Sequence, residues 1–267
     1  MAFDPRELAA PTVLGPPTGA RVERDLVYRT DGQRVLKLDV YRPPSEGPAV
    51  PVVFLVNGDA PEEIIATAKD WGVYRSYGQH LAARGLVGVP FNHRSTNRME
   101  PTEAANDVRA AISFVRGRAE DLAVDADRVG VWVFSAGGPF GLAPLLQEPP
   151  DWLRCAAGFY TVWDLAPYRG RVASATDDYI RKWSCLTALE TGTLNLPPLL
   201  LVRAGRDSPA LLEGTDTFVR RARERGVDLT VLDHPTGQHG FDTVDNDDRS
   251  REIIGAALDF FVRHLSR

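Results

Sequence analysis

Apolar positions along the chain fall into two repeating patterns. Arg21 to Tyr28 and Arg34 to Tyr41 alternate apolar with polar residues on either side of Asp31-Gly32, which predicts an antiparallel hairpin. Later runs are continuously apolar: Pro51 to Val56, Leu86 to Phe91, Arg128 to Phe134, Cys155 to Tyr160, Pro198 to Val202 and Asp228 to Leu232. Such runs suit strands buried on both faces of a parallel sheet. Between them lie stripes at helical spacing. Tyr74, Tyr77 and Leu81 form one, with Gly85 placed to end it. Ala104, Ala105, Val108, Ala111, Ile112 and Val115 form the second. Leu211, Phe218, Val219 and Ala222 form the third, ended by Gly226, and Ile253, Ile254, Ala257, Leu258 and Phe261 the last. Strands alternating with helices predict an α/β fold, with a mostly parallel central sheet, an antiparallel N-terminal hairpin and helices on both faces. Residues 1–20, rich in Pro and Gly, read as an extended lead-in to a single α/β domain over 21–267.

Composition narrows the function classes. In 267 residues, 43% hydrophobic and 25% charged, an ordinary soluble core is expected. A net charge of −5 leaves no electrostatic footprint for nucleic acid. The apolar runs fall well short of the ~18 residues of a membrane span. Met1 to Glu7 leads into no apolar signal segment, so a cytoplasmic setting is the default. Cys155 and Cys185, both in apolar surroundings, read as buried reduced thiols. The histidine and cysteine spacings suit no metal, and no cofactor is implied. An edge strand or the last helix leaves a homodimer open.

In parallel sheets, ligands sit at the carboxyl ends of the strands, so chemistry is sought there. Val129 to Phe134 runs into Ser135-Ala136-Gly137-Gly138, the pattern of a nucleophile elbow. The usual Gly two residues before the Ser is here Val133. An ordinary strand-to-helix turn is the alternative reading. Pro198 to Val202 leads to Asp207, either the acid that orients a histidine or part of a helix N-cap with Ser208 before Pro209. Leu229 to Leu232 leads to Gly237-Gln238-His239-Gly240, where small residues let an imidazole approach. Of the other histidines, His80 and His264 fall in helical segments and His234 beside a Pro, while His93 follows a strand and could line the cleft. The order Ser135, Asp207, His239 is that of α/β-hydrolases.

Over nearly its whole length the chain resembles the α/β-hydrolase superfamily, and within it the dienelactone-hydrolase-like and small acetyl-esterase-like branch. The resemblance is carried by Pro51 to Gly58, Leu81 to Val89, Asp107 to Ile112, Asp127 to Val131, Pro197 to Asp207 and Gly237 to Asp242. It implies acyl transfer from an ester to Ser135 and then to water, with His239 as general base and acid and Asp207 fixing its tautomer. It also implies an oxyanion hole built from the backbone N–H of Ala136 and one N–H of the Asn57-Gly58-Asp59 loop. Asn57 and Asp59 stand where many relatives carry His and Gly, so an acid lies beside a site for negative charge. Where true dienelactone hydrolases use Cys, this chain has Ser, which favours an esterase. Residues 161–197 read as a small cap, in which Trp163, Tyr168, Tyr179 and Trp183 either wall a pocket or bury the cap on the sheet. Phe134, Trp163, Arg94 and His93 are the candidate substrate-binding residues. Arg94 and Arg98 suit a substrate carboxylate or, more commonly for Arg, an internal ion pair. The leading expectation is a serine hydrolase of small soluble esters. A prolyl-oligopeptidase-like amidase and a non-catalytic ligand-binding protein are the alternatives.

Overall fold

The computed structural model describes residues 13–96, 100–170, 176–192 and 195–266. Its strands are β1 (Arg21–Asp31), β2 (Arg34–Arg42), β3 (Val50–Val56), β4 (Val87–Pro90), β5 (Val124–Phe134), β6 (Leu153–Phe159), β7 (Leu199–Ala204) and β8 (Leu229–His234). They form one eight-stranded sheet in the order β1-β2-β4-β3-β5-β6-β7-β8. β1 and β2 pair antiparallel, as β2 does with β4, and every pair from β4 to β8 across the sheet is parallel. Each apolar run of the sequence is a strand. β5 begins earlier than the run suggested, because Val124 pairs with Val50 ahead of a register shift.

The helices are α1 (Glu62–Ile65), α2 (Gly72–Ala83), α3 (Thr102–Gly117), α4 (Ala143–Gln147), α5 (Asp177–Trp183), α6 (Cys185–Thr191), α7 (Pro209–Glu224), α8 (Phe241–Val244) and α9 (Asp248–Leu265). They explain why the strands are apolar without alternation. Val52, Phe54 and Val56 of β3 belong to one core with α3 and α7, while Val53 and Leu55 belong to a second core with α2 and α9. Successive strand side chains point to opposite faces, so covering both faces demands an apolar residue at every position. The four helical stripes are α2, α3, α7 and α9. On α7 the buried face is centred on Ala210, Gly214, Phe218 and Ala222, and Leu211 and Val219 sit at its half-buried edge. The five short helices had no legible periodicity, being about one to two turns long.

Between β6 and β7 the described chain carries a 3-10 turn, Ala166–Tyr168, followed by α5 and α6. Cys155 and Cys185 are buried and unpaired. Among the described residues, no helix is long and apolar enough to cross a membrane.

Candidate active site

Ser135 follows directly on β5 with φ 51°, in the left-handed region that L-residues enter at a cost. The chain then turns into a π-helical turn, Gly138–Leu142, that leads to α4. This is the sharp bend that pushes a Ser hydroxyl clear of the sheet. Val133 fits two residues earlier because room is made on the helix side. A Cβ on Gly137 would stand 3.3 Å from the Val133 Cβ, and one on Gly141 would stand 3.4 Å from its Cγ1.

Three strand ends converge here. Ser135 Oγ lies 2.8 Å from His239 Nε2, and His239 Nδ1 lies 2.8 Å from Asp207 Oδ2. An ionised carboxylate only accepts hydrogen bonds, so Nδ1 carries the proton and Nε2 is left to accept from the Ser hydroxyl. The other Asp207 oxygen, Oδ1, accepts from the Ser208 N–H at 2.8 Å. Ser208 itself is the N-cap of α7, its side chain accepting from the Leu211 N–H. Both readings of this stretch therefore hold, one on each residue.

The Asp207 and His239 loops are tied by backbone. Gly205 N–H donates to His234 O at 2.8 Å, and Arg206 N–H donates to Gly237 O at 2.9 Å. A Cβ on Gly205 would fall 2.2 Å from Pro235 O, so only glycine allows this approach. Gly205→Ala is expected to part the two loops and lower kcat about 100-fold. Steady-state kinetics on a variant with an unchanged circular dichroism spectrum would check this.

The Asn57-Gly58-Asp59 loop lies against Ser135. A Cβ on Gly58 would sit 2.8 Å from the Ser135 Cβ. The Asp59 carboxylate is turned into the following loop, accepting from Ser95 Oγ at 3.0 Å, from the Thr96 N–H at 2.9 Å and from the Thr96 hydroxyl. These donors hold the carboxylate at 95–96. Ala136, half-buried, lines an apolar cavity of about 120 Å³ whose walls include Phe140, Val162, Tyr168 and Tyr179.

Four of the candidate substrate-binding residues do other work. The two ring nitrogens of His93 face backbone carbonyls, at 2.8 Å from Arg94 O and 3.1 Å from Asn57 O. His93 thus braces the loop beside Ser135 from below and is buried. Arg94 donates from Nε and one terminal nitrogen to Asp107, each at 2.8 Å. Its other terminal nitrogen pairs with Asp31 and Glu103, leaving the guanidinium committed within the fold. Phe134 points into the α2 and α9 core, with its ring 5.1 Å from Tyr74 and stacked on Tyr77 and Trp132. Trp163 packs on Phe218 of α7 with centroids 4.4 Å apart. Trp183 is likewise buried in the core. Of the aromatics Trp163, Tyr168, Tyr179 and Trp183, Tyr168 and Tyr179 line the cavity. Arg98 lies outside the described residues.

The sequence reading missed Tyr160 and Asp242. Tyr160, just past β6, packs edge-on against His239 with centroids 4.8 Å apart. Asp242 accepts its hydroxyl at 2.6 Å. A Tyr at a strand end was a weak signal, and the pairing of two residues so far apart in sequence left no mark.

Comparison with known proteins agrees with this architecture. The BD-FAE family model matches residues 38–147. Esterase LipC of Mycobacterium tuberculosis is 26% identical over 98% of this chain and 72% of its own length. Esterase 2 of Thermogutta terrifontis superposes with a TM-score of 0.72 at 20% identity, covering 92% of this chain and 94% of that one. A truncated carbohydrate esterase from gut microbiota gives 0.74 at 18% identity, over 95% of this chain and 100% of that one. The likeness to these structures shows an α/β-hydrolase fold.

Proposed function

We propose that this protein hydrolyses small carboxylic esters through an acyl-enzyme on Ser135. Carboxylic ester hydrolysis is the activity its esterase relatives share, and one observation carries the reading to named residues. Ser135 Oγ to His239 Nε2 and His239 Nδ1 to Asp207 Oδ2 are two successive contacts of 2.8 Å. His239 takes the Ser135 proton as Oγ attacks the ester carbonyl. The tetrahedral oxyanion is met by the Ala136 N–H and an N–H of the 57–59 loop. His239 then protonates the departing alcohol. A water, deprotonated by the same nitrogen, attacks the acyl-enzyme and releases the acid.

Segment 161–197 serves as the cap in this reading. The cavity beside Ala136 is small, and among the described residues its lining carries no charge. That favours a short, neutral acyl group over a long chain or a dicarboxylate. p-Nitrophenyl acetate, butyrate and octanoate, compared with an aminoacyl-anilide, test the assignment. Turnover of the butyrate is expected to exceed that of the octanoate by at least about tenfold. A faster anilide would instead make the protein an amidase. A fluorophosphonate that leaves Ser135 of the folded protein unlabelled would remove the nucleophile.

A further inference from the structure

Asp242 is a second acid beside His239, and the hydrolytic mechanism above gives it no task. It lies in the first turn of α8, on the loop that carries His239, and is 3% exposed. Both carboxylate oxygens are held by phenols. Tyr77 of α2 donates to Oδ2 at 2.7 Å, and Tyr160 donates to Oδ1 at 2.6 Å. Tyr160 also packs its ring against the His239 imidazole, so one side chain touches both the acid and the base. Tyr160 adopts φ 39° in the left-handed region. That backbone is pinned by its N–H donating to Val202 O at 3.0 Å, while the Val162 N–H donates to Ser135 O at 3.0 Å. Strain maintained beside a reacting centre has to be enforced by the surrounding structure.

The charge around Asp242 is lopsided. From α2 it faces Tyr74 and Tyr77, from the end of β6 Tyr160, and from its own loop His239. Ser135 and Asp207 flank His239 on the remaining sides, and His234 lies beyond Phe241, its ring 5.2 Å from that of Phe241. Burial holds all three tyrosines far above their usual range, so they remain proton donors. Burial also pushes the Asp242 carboxyl up, opposed by the hydroxyls of Tyr160 and Tyr77 and by His239. Of these opposing groups, only His239 can become a cation.

We propose that Asp242 is a positioning residue: as a carboxylate held by Tyr77 and Tyr160, it stabilises the imidazolium that His239 becomes on taking the Ser135 proton. The proton moves from Ser135 Oγ to His239 Nε2, and Asp242 neither gains nor loses one. Asp207 meets the developing charge through direct contact with Nδ1. Asp242 meets it from within the protein, where low polarisability strengthens a fixed charge. Through Tyr160 it also sets the plane of the ring. The role rests on the Ser135 mechanism, but its electrostatic part can be read without turnover.

The test is the titration of His239 followed by NMR, alongside the kinetics, in wild type and Asp242→Asn. Asn keeps the size and accepts one phenol hydrogen bond but removes the charge. A lost neighbouring anion makes the imidazolium less stable, so the proton leaves at lower pH. The midpoint is expected to fall by about 0.5–1 pH unit, carrying the acid limb of kcat/KM with it. kcat is expected to fall about tenfold with KM within about twofold of wild type. Tyr160→Phe keeps the ring packing and removes the O–H, so its midpoint moves the same way by less. It decides the matter should Asp242→Asn fail to fold. An unmoved midpoint and pH profile in folded Asp242→Asn, or in Tyr160→Phe when that variant stands in, would overturn the proposal, leaving Asp242 as a neutral structural acid. A wild type that neither turns over esters nor labels at Ser135 would refute the hydrolase reading, while the titration would still decide the role of Asp242.

Discussion

Ser135→Ala is expected to lower ester turnover by about 10,000-fold or more, with the fold intact. The size follows from what the hydroxyl does. On the proposed mechanism no acyl acceptor remains without Oγ, and the residual rate comes from the donors of Ala136 and the 57–59 loop acting on direct attack by water. Asp207→Asn should cost nearly as much, since Asn can offer an N–H to Nδ1 and stabilise the wrong tautomer, with the proton on Nε2 facing Ser135. Groups that act as a unit are not additive, so the double variant should be little worse than Ser135→Ala alone. Single-turnover and steady-state rates on p-nitrophenyl butyrate check both. A Ser135→Ala rate within tenfold of wild type would mean that another group attacks.

Asp107→Ala is expected to lower stability by about 3–5 kcal/mol, the largest structural effect of any single change discussed. Asp107 is fully buried on α3. Its carboxylate accepts from Arg94 N–H at 3.0 Å and from Nε and a terminal nitrogen at 2.8 Å, and Arg29 pairs with it at 3.2 Å. Removing the acid leaves Nε, one terminal nitrogen and the backbone N–H of buried Arg94 without an acceptor, while Asp31 and Glu103 keep the other terminal nitrogen, and unmet buried donors cost more than the intact pair contributes. The damage reaches the site through the chain itself. His93, next to Arg94, braces Asn57, and Ser95 and Thr96 hold Asp59. An Arg94 held only through Asp31 and Glu103 therefore loosens the loop beside Ser135, so kcat should fall together with stability. Urea unfolding and kcat measured on one preparation test the link. Lost stability with unchanged kcat would show the 57–59 loop to be held independently. Asp107→Asn, which keeps acceptor capacity, should lie between wild type and Ala.

The readings that failed share a cause. Phe134, His93 and Arg94 stand near strand ends and Trp163 in an aromatic-rich segment, and neither position says where a side chain points. Phe134 precedes Ser135, and strand alternation sends it to the α2 and α9 face, where it stacks on Tyr77 and Trp132. Arg94 follows β4, yet its partners lie on other elements, Asp107 and Glu103 on α3 and Asp31 in the hairpin. The pairing of Tyr160 with Asp242 was illegible for the same reason, since 82 residues separate them.

The strands, their parallel run and the positions at which polar groups emerge from them were determined by the sequence alone. Residues buried on both faces must be apolar without alternation, and the chain leaves β5 and β7 at Ser135 and Gly205, where it can turn sharply. Which of those emerging groups meet was decided only by the tertiary structure. The order β5-β6-β7-β8 sets the ends of β5, β7 and β8 along one edge. There Gly205 admits the Pro235 carbonyl closely enough to bring Asp207 to His239. The same packing drew Arg94 to Asp107 and away from any ligand, because a buried guanidinium goes to the acid that can neutralise it, whatever its distance along the chain.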